Sequence, residues 1–152
     1  MCPENKGLPF QVLVKKVFKR NPSFYRIKLA KIVGMAEHND IGNQSEQMAS
    51  EWLQAKGYEL LRSNYRYKHA EIDLIMKHRG ILIFVEVKFR SGTGFGYAEE
   101  FVDYKKRQLI IRAADNFIYE IDWHKDIRFD IVGVYRSRDG QIAFKHFQDA
   151  FY

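Results

Sequence analysis

"AEIDLIMKHRGILIFVEVKFR", residues 70–90, consists of two apolar runs that carry Glu71, Asp73, Glu86 and Lys88 inside them. A charge withdrawn from water is costly unless a partner compensates it. Successive side chains of a strand point to opposite faces. On the first run Glu71, Asp73 and Ile75 share one face, and Ile72, Leu74 and Met76 share the other. On the second, Phe84, Glu86 and Lys88 share a face, opposed by Val85, Val87 and Phe89. Each strand thus keeps one apolar face and collects its charges on the other.

The runs are joined at His78-Arg79-Gly80, where glycine permits a tight turn. A two-residue turn at Arg79-Gly80 sets Asp73 opposite Glu86 and Glu71 opposite Lys88. Like charges directly opposed are unfavourable. Two remedies exist: a cation between them, or a raised carboxylate pKa. A divalent metal fits the first. Mg²⁺ takes a few carboxylate oxygens and keeps waters for substrate phosphates, and Mn²⁺ is the other candidate. Lys88, two residues beyond Glu86 on the same face, can then reach an attacking water or a scissile phosphate. That pattern predicts metal-assisted phosphodiester hydrolysis, with Lys88 stabilising developing negative charge. The competing reading is a Glu71–Lys88 surface salt bridge beside solvated Asp73 and Glu86, with no catalysis.

Working outward, the chain reads as an α/β domain in the order α-β-β-β-α-β-β, a mixed sheet flanked by helices. "NQSEQMASEWLQAKG" predicts a first helix with Met48, Trp52 and Ala55 on one face and Gly57 as its C-cap. "YELLRSNYRYK" predicts the strand before the hairpin. "DYKKRQLIIRAADNFIYEID" predicts a second helix with Leu109, Ala113 and Phe117 on its stripe. "IRFDIVGVY" and "QIAFKHF" predict the last two strands. At 152 residues, one domain of this kind has length enough for a real core.

Net charge is +6, but it is unevenly placed. Residues 1–34 hold eight Lys and Arg against Glu4 alone, giving +7; residues 35–152 hold seventeen basic and eighteen acidic side chains, giving −1. The basicity belongs to an N-terminal extension, so overall charge is weak evidence for nucleic-acid binding. Phe10, Leu13, Val14, Val17 and Phe18 approximate a helical stripe there, ended by Pro22. The extension reads either as an arm for nucleic acid or anionic lipid, or as a poorly ordered extension or untranslated sequence upstream of a start at Met35. Its apolar runs fall far short of the roughly 18 residues a membrane span needs, and membrane contact through residues 1–34 is disfavoured. The single Cys2 excludes a disulfide framework and predicts a reducing, cytoplasmic setting.

Other chemistries find little support. The five histidines are scattered without zinc spacing, and no G-x-S-x-G elbow occurs. "SGTGFGY" lacks the G-K-[ST] of a phosphate-binding loop. It reads instead as a substrate-gripping loop carrying Phe95 and Tyr97. Arg90, directly after the charged strand, and Lys105, Lys106 and Arg112 around the second helix are candidates for phosphate contacts. Arg128 and Asp130 in "RFDIV" fit an internal ion pair as well as a site role. Glu46, taken alone, reads as a first-turn glutamate that favours a helix N-terminus.

"GNQSEQMASEWLQAKGYELLRSNYRYKHAEIDLI", "FVEVKFRS", "KKRQLIIRAADNFI" and "RFDIV" together resemble the small bacterial family called YraN or UPF0102, over about residues 35–152. That family is endonuclease-like and similar to Holliday-junction resolvases of the PD-(D/E)xK nuclease superfamily. The resemblance implies a restriction-endonuclease-like core and a DNA substrate, with branched structures a candidate. It implies a metal site in which Asp73 is the first acidic ligand, Glu86 and Lys88 the E-x-K pair, and Glu46 an added glutamate acting directly or through water. Glu71 would orient Lys88 or a water. Ser45 and Ala70 stand where the family usually has glycine; both are small enough for close packing. Resolvases of this type are generally dimers, which implies a homodimer. A nucleic-acid-binding module of the same fold without turnover is the alternative, and a scaffold or membrane-peripheral role through residues 1–34 a third.

Overall fold

The computed structural model describes residues 38–91 and 102–151. The basic extension over residues 1–34 and the glycine-rich loop with Phe95 and Tyr97 lie outside the described residues. Seven elements follow in order: α1 (His38–Gln54), β1 (Glu59–Tyr67), β2 (Ala70–His78), β3 (Ile81–Ser91), α2 (Tyr104–Glu120), β4 (Ile127–Arg136) and β5 (Ile142–Phe147). This is the expected α-β-β-β-α-β-β order. The five strands form one mixed sheet in the order β1-β2-β3-β4-β5. Only β3 and β4 run parallel, since α2 carries the chain back between them; the other neighbours are antiparallel.

α1 starts five residues earlier than the sequence pattern suggests. Its end is as expected: Gly57, at φ 90°, lets its own N–H reach Gln54 O and the Tyr58 N–H reach Leu53 O. The buried stripe of α1 is Ala49, Trp52 and Leu53, rather than Met48, Trp52 and Ala55. α2 is capped by Asp103, whose carboxylate accepts the Lys106 N–H at 2.8 Å. It buries Ile110, Ala113, Ala114 and Phe117, so the expected stripe is shifted from Leu109 to Ile110.

The helices cover opposite faces of the sheet. Under α2 lie Ile75, Phe84, Phe129 and Ile131, with Phe84 and Phe129 stacked at 5.3 Å. Under α1 lie Leu74, Met76, Val85 and Val132, and Trp52 stacks on Phe144 of β5 at 5.0 Å. Ser45 and Ala70 are both buried. Ser45 donates its hydroxyl to Gly42 O at 2.7 Å, within its own helix.

The β2–β3 hairpin turns at Arg79 and Gly80, with φ of 49° and 81°, the conformation of a tight two-residue hairpin turn. From it the pairing runs in the expected register, His78 with Ile81 through to Leu74 with Val85, and there it stops. Beyond that point β2 pairs only with β1, and β3 only with β4. The alternation on β2 also breaks here. Ile72 packs under α2 with Ile75, not with Leu74 and Met76. On β1, Asn64 adopts φ 50° between the pairs Ser63–Leu74 and Tyr65–Ile72, the interval that Asp73 occupies on β2. The sheet is therefore forked at Asp73. This local distortion is why a strict period of two misplaces Ile72.

Candidate functional site

Asp73 and Glu86 flank the fork. Both are buried, at 8% and 3% exposure. Asp73 is held there by accepting the Val87 N–H on Oδ2 at 2.6 Å. Its side chain thus takes the hydrogen bond that a β2 carbonyl would take in a continued ladder. Burial, followed by the charge of Glu86, pushes the Asp73 carboxyl up to about 7; the charge of Glu46 adds to this, while the Val87 N–H and Lys106 oppose it. Of the two remedies for opposed carboxylates, the raised pKa is present in the protein alone.

Lys88 projects from β3 on the Glu86 side, and its Nζ lies 2.5 Å from Glu86 Oε1. Among the described residues the second oxygen, Oε2, accepts no hydrogen bond, but Lys106 Nζ of α2 stands 3.4 Å away. The E-x-K pair is therefore a direct contact. Glu71 takes no part in it: its Oε1 is 3.2 Å from Arg66 Nη2 of β1, at the exposed edge. The expected Glu71–Lys88 pairing is corrected, because the ladder that would align them ends at Leu74.

Glu46 lies in the middle of α1, not in its first turn, so a helix-terminus role does not apply to it. Its Oε2 accepts the Asn64 side-chain N–H at 2.6 Å, and its charge acts on Asp73. Asn64 escaped the sequence reading; nothing in "SNYRY" marks a left-handed residue, beyond the general tolerance of Asn for that conformation. Lys106 is brought to the carboxylates, while Lys105 and Arg112 are exposed elsewhere on α2. Arg90 is exposed near the end of β3, inside the charged strand rather than directly after it, with Nη1 donating to Phe89 O at 2.9 Å.

Two buried carboxylates on a forked sheet, one with an oxygen that accepts no hydrogen bond, are a fitting cradle for a hard divalent cation that retains several waters. Among the described residues no three His, Cys, Asp or Glu side chains share one ligating position. Asp73 and Glu86 would supply the protein ligands, and Glu46 is near enough for its charge to act on Asp73.

A third buried carboxylate lies on the other face. Asp130 of β4 pairs in register with Val85 and so points toward α1. It is fully enclosed. Arg128 grips it through Nε and Nη2 at 2.7 and 2.8 Å, His146 Nε2 lies 2.7 Å from Oδ2, and the Asp149 N–H donates to Oδ1 at 3.0 Å. Burial raises its pKa, but the bonds from His146 and Arg128 outweigh that and hold it below the ordinary carboxylate value. Of the two sequence readings of Arg128 and Asp130, the internal ion pair describes this geometry.

Among the described residues no helix is long and apolar enough to cross a membrane. The profile described as "Uncharacterised protein family UPF0102" matches residues 45–134, a span that includes the fork, Lys106 and Asp130. A UPF0102 protein of Flavobacterium psychrophilum is 44% identical over 118 residues, covering 78% of this chain and 98% of the relative. One from Christiangramia forsetii is 41% identical over the same length and shares. One from Bacteroides thetaiotaomicron is 37% identical over 118 residues, 78% of this chain and 97% of the relative.

Proposed function

The chain belongs to the UPF0102 family, and on that footing we propose that it is a metal-dependent endonuclease that hydrolyses DNA phosphodiester bonds, with branched DNA the substrate to try first. One observation carries the reading: Asp73 and Glu86 are buried together where the β2–β3 ladder ends, with Lys88 Nζ 2.5 Å from Glu86. A sheet does not hold two carboxylates this way for stability. Burial first, and then their mutual repulsion, raise the Asp73 pKa, a cost that makes sense where a cation is to be bound.

Asp73 and Glu86 would hold Mg²⁺ or Mn²⁺, and Glu46 would act through Asp73 or a water. The ion, when bound, supplies Lewis acidity toward a phosphoryl oxygen and a more acidic water. Lys88 supplies a fixed positive charge beside the reacting phosphate, where charge develops in the transition state. Arg90 at the end of β3 would contact the nucleic-acid backbone, and Lys105 and Arg112 on α2 would add further phosphate contacts. A homodimer and a cytoplasmic setting belong to the same proposal.

The test is calorimetric titration of Mg²⁺ and Mn²⁺ into the full chain beside Asp73→Asn, with nicking of branched and plasmid DNA in parallel. The expected result is loss of binding and of nicking together in Asp73→Asn, and retained binding with lost nicking in Lys88→Ala. Metal-dependent nicking that survives both Asp73→Ala and Glu86→Ala would overturn the proposal. The second reading, a nucleic-acid-binding module without turnover, draws on the lysines near both Glu86 oxygens, which already compensate its charge. It predicts DNA binding with a steep salt dependence and no cleavage at any metal concentration.

A further inference from the structure

Lys106 was read from sequence as one of several phosphate contacts. Its position says something more specific. Its Nζ stands 3.4 Å from Glu86 Oε2, the carboxylate oxygen that accepts no hydrogen bond, and its charge also lowers the Asp73 pKa. It therefore acts on both members of the carboxylate pair from a side chain that is a third exposed. It projects from the first turn of α2, fixed there by the Asp103 cap. That turn contains no acidic residue, and a helix N-terminus disfavours cations. A lysine so placed is held by the carboxylates rather than by its own helix. The ion pair lacks hydrogen-bond geometry, so releasing it breaks no directional bond.

We propose that Lys106 is a built-in counter-ion that occupies the cation position at Glu86 and gives it up to the divalent metal. This rests on the metal-site reading above and deepens it. Lys88 and Lys106 then have separate duties. Lys88, on the same strand as Glu86 and bonded to Oε1, stays with the site. Lys106, on a helix and at the rim, leaves Oε2 when the metal arrives, and its ammonium becomes available to a substrate phosphate. Phosphate and metal therefore favour one another's binding: whatever draws Lys106 away from Glu86 opens the position for the ion, and the coupling is reciprocal. Lys106 is a positioning residue in this account, acting on the reaction through Glu86.

The experiment titrates Mn²⁺ alone into the full metal-free chain by calorimetry, at a pH well above the value to which Asp73 is raised. Three proteins are compared: wild type, Lys106→Met and Lys105→Met. Lys105 is exposed on the same turn, so its variant removes the same charge without touching Glu86. With one partner buried and the other at the rim, the pair lies between the surface and buried limits for ion pairs. Lys106→Met is expected to bind Mn²⁺ roughly tenfold tighter than either other protein. Its metal-free melting temperature should fall, and saturating Mn²⁺ should raise it by more than in wild type. Should Lys106→Met fail to fold, Lys106→Gln carries the same comparison. Binding in wild type with equal or weaker binding in Lys106→Met overturns this inference and leaves the metal site standing. Absence of Mn²⁺ binding in all three proteins overturns both.

Discussion

Asp130 and Glu86 lie on neighbouring strands, one register position apart, yet they are buried in opposite ways. Asp130 has a partner for each lone pair it offers: two from Arg128, one from His146 and one from the Asp149 backbone. Its pKa is depressed, so ionisation favours the fold. The Asp73–Glu86 pair, on the other face, has lysines only to one side and repels itself. There ionisation works against the fold. One cluster is organised around a charge the protein has finished compensating, the other around charges it compensates only in part. The difference separates a structural ion pair from a candidate site more clearly than burial, which is nearly the same for both.

The sharpest way to break this comparison is Asp130→Ala. It leaves the half-buried Arg128 without its carboxylate and releases the Asp149 backbone, and should cost about 3 kcal/mol in a urea titration. A loss below about 1 kcal/mol would mean that Asp130 is not the compensated charge described above.

Asp73→Asn should move the other way. The amide oxygen still accepts the Val87 N–H, while the repulsion with Glu86 is gone. The unfolded chain releases this proton near pH 3.8 and the folded chain near 7, so between those values the folded state holds more protons. Stability therefore falls as pH rises through that window, and is flat with respect to this group above it. The variant should be more stable than metal-free wild type above neutral pH, by on the order of 3 kcal/mol, and equal to it in acid. Asp130 has the opposite sign: its contribution is full above the ordinary carboxylate pKa and is lost as pH falls through its depressed value. Denaturation midpoints measured across pH in the two variants should thus diverge in opposite directions. Matching pH profiles would remove the distinction.

The smallest effect concerns Glu46. Asn64→Gly keeps the left-handed backbone but removes the hydrogen bond to Glu46. Stability should change by no more than about 1 kcal/mol. Metal affinity measured by calorimetry should change by more than stability does if Asn64 aims Glu46 at the site.

Much of this was legible beforehand, and the reasons are local. Gly57 and the Arg79-Gly80 turn announce themselves because few residues tolerate their conformations. The turn then fixes the hairpin register, and alternation on β3 places Glu86 and Lys88 on one side. What remained hidden are departures from regularity. A register argument assumes that the ladder continues, so it could not foresee an end at Leu74, the movement of Ile72 under α2 or the Arg66–Glu71 pair. The early start of α1 removed Glu46 from the first turn, because nothing apolar marks the helix before Ile41. Lys106 needed the packing of α2 on the sheet. Its one clue was a basic run, "KKR", where a helix begins, the end at which dipoles prefer acids.

The hydrogen bond from Val87 to Asp73 makes one side chain stand in for the main chain. Alanine scanning would misread such a residue, since Asp73→Ala deletes a rung of the sheet along with the charge, and the two losses could not then be told apart. The same bond restricts what can replace it. Glutamate is one methylene too long, and serine offers no carboxamide or carboxylate oxygen at that reach. Asparagine is the one neighbour that keeps the rung. If the proposed activity holds, a lineage that lost it while keeping the fold is expected to carry Asn at this position, and an Asp-to-Asn exchange among relatives would record that loss.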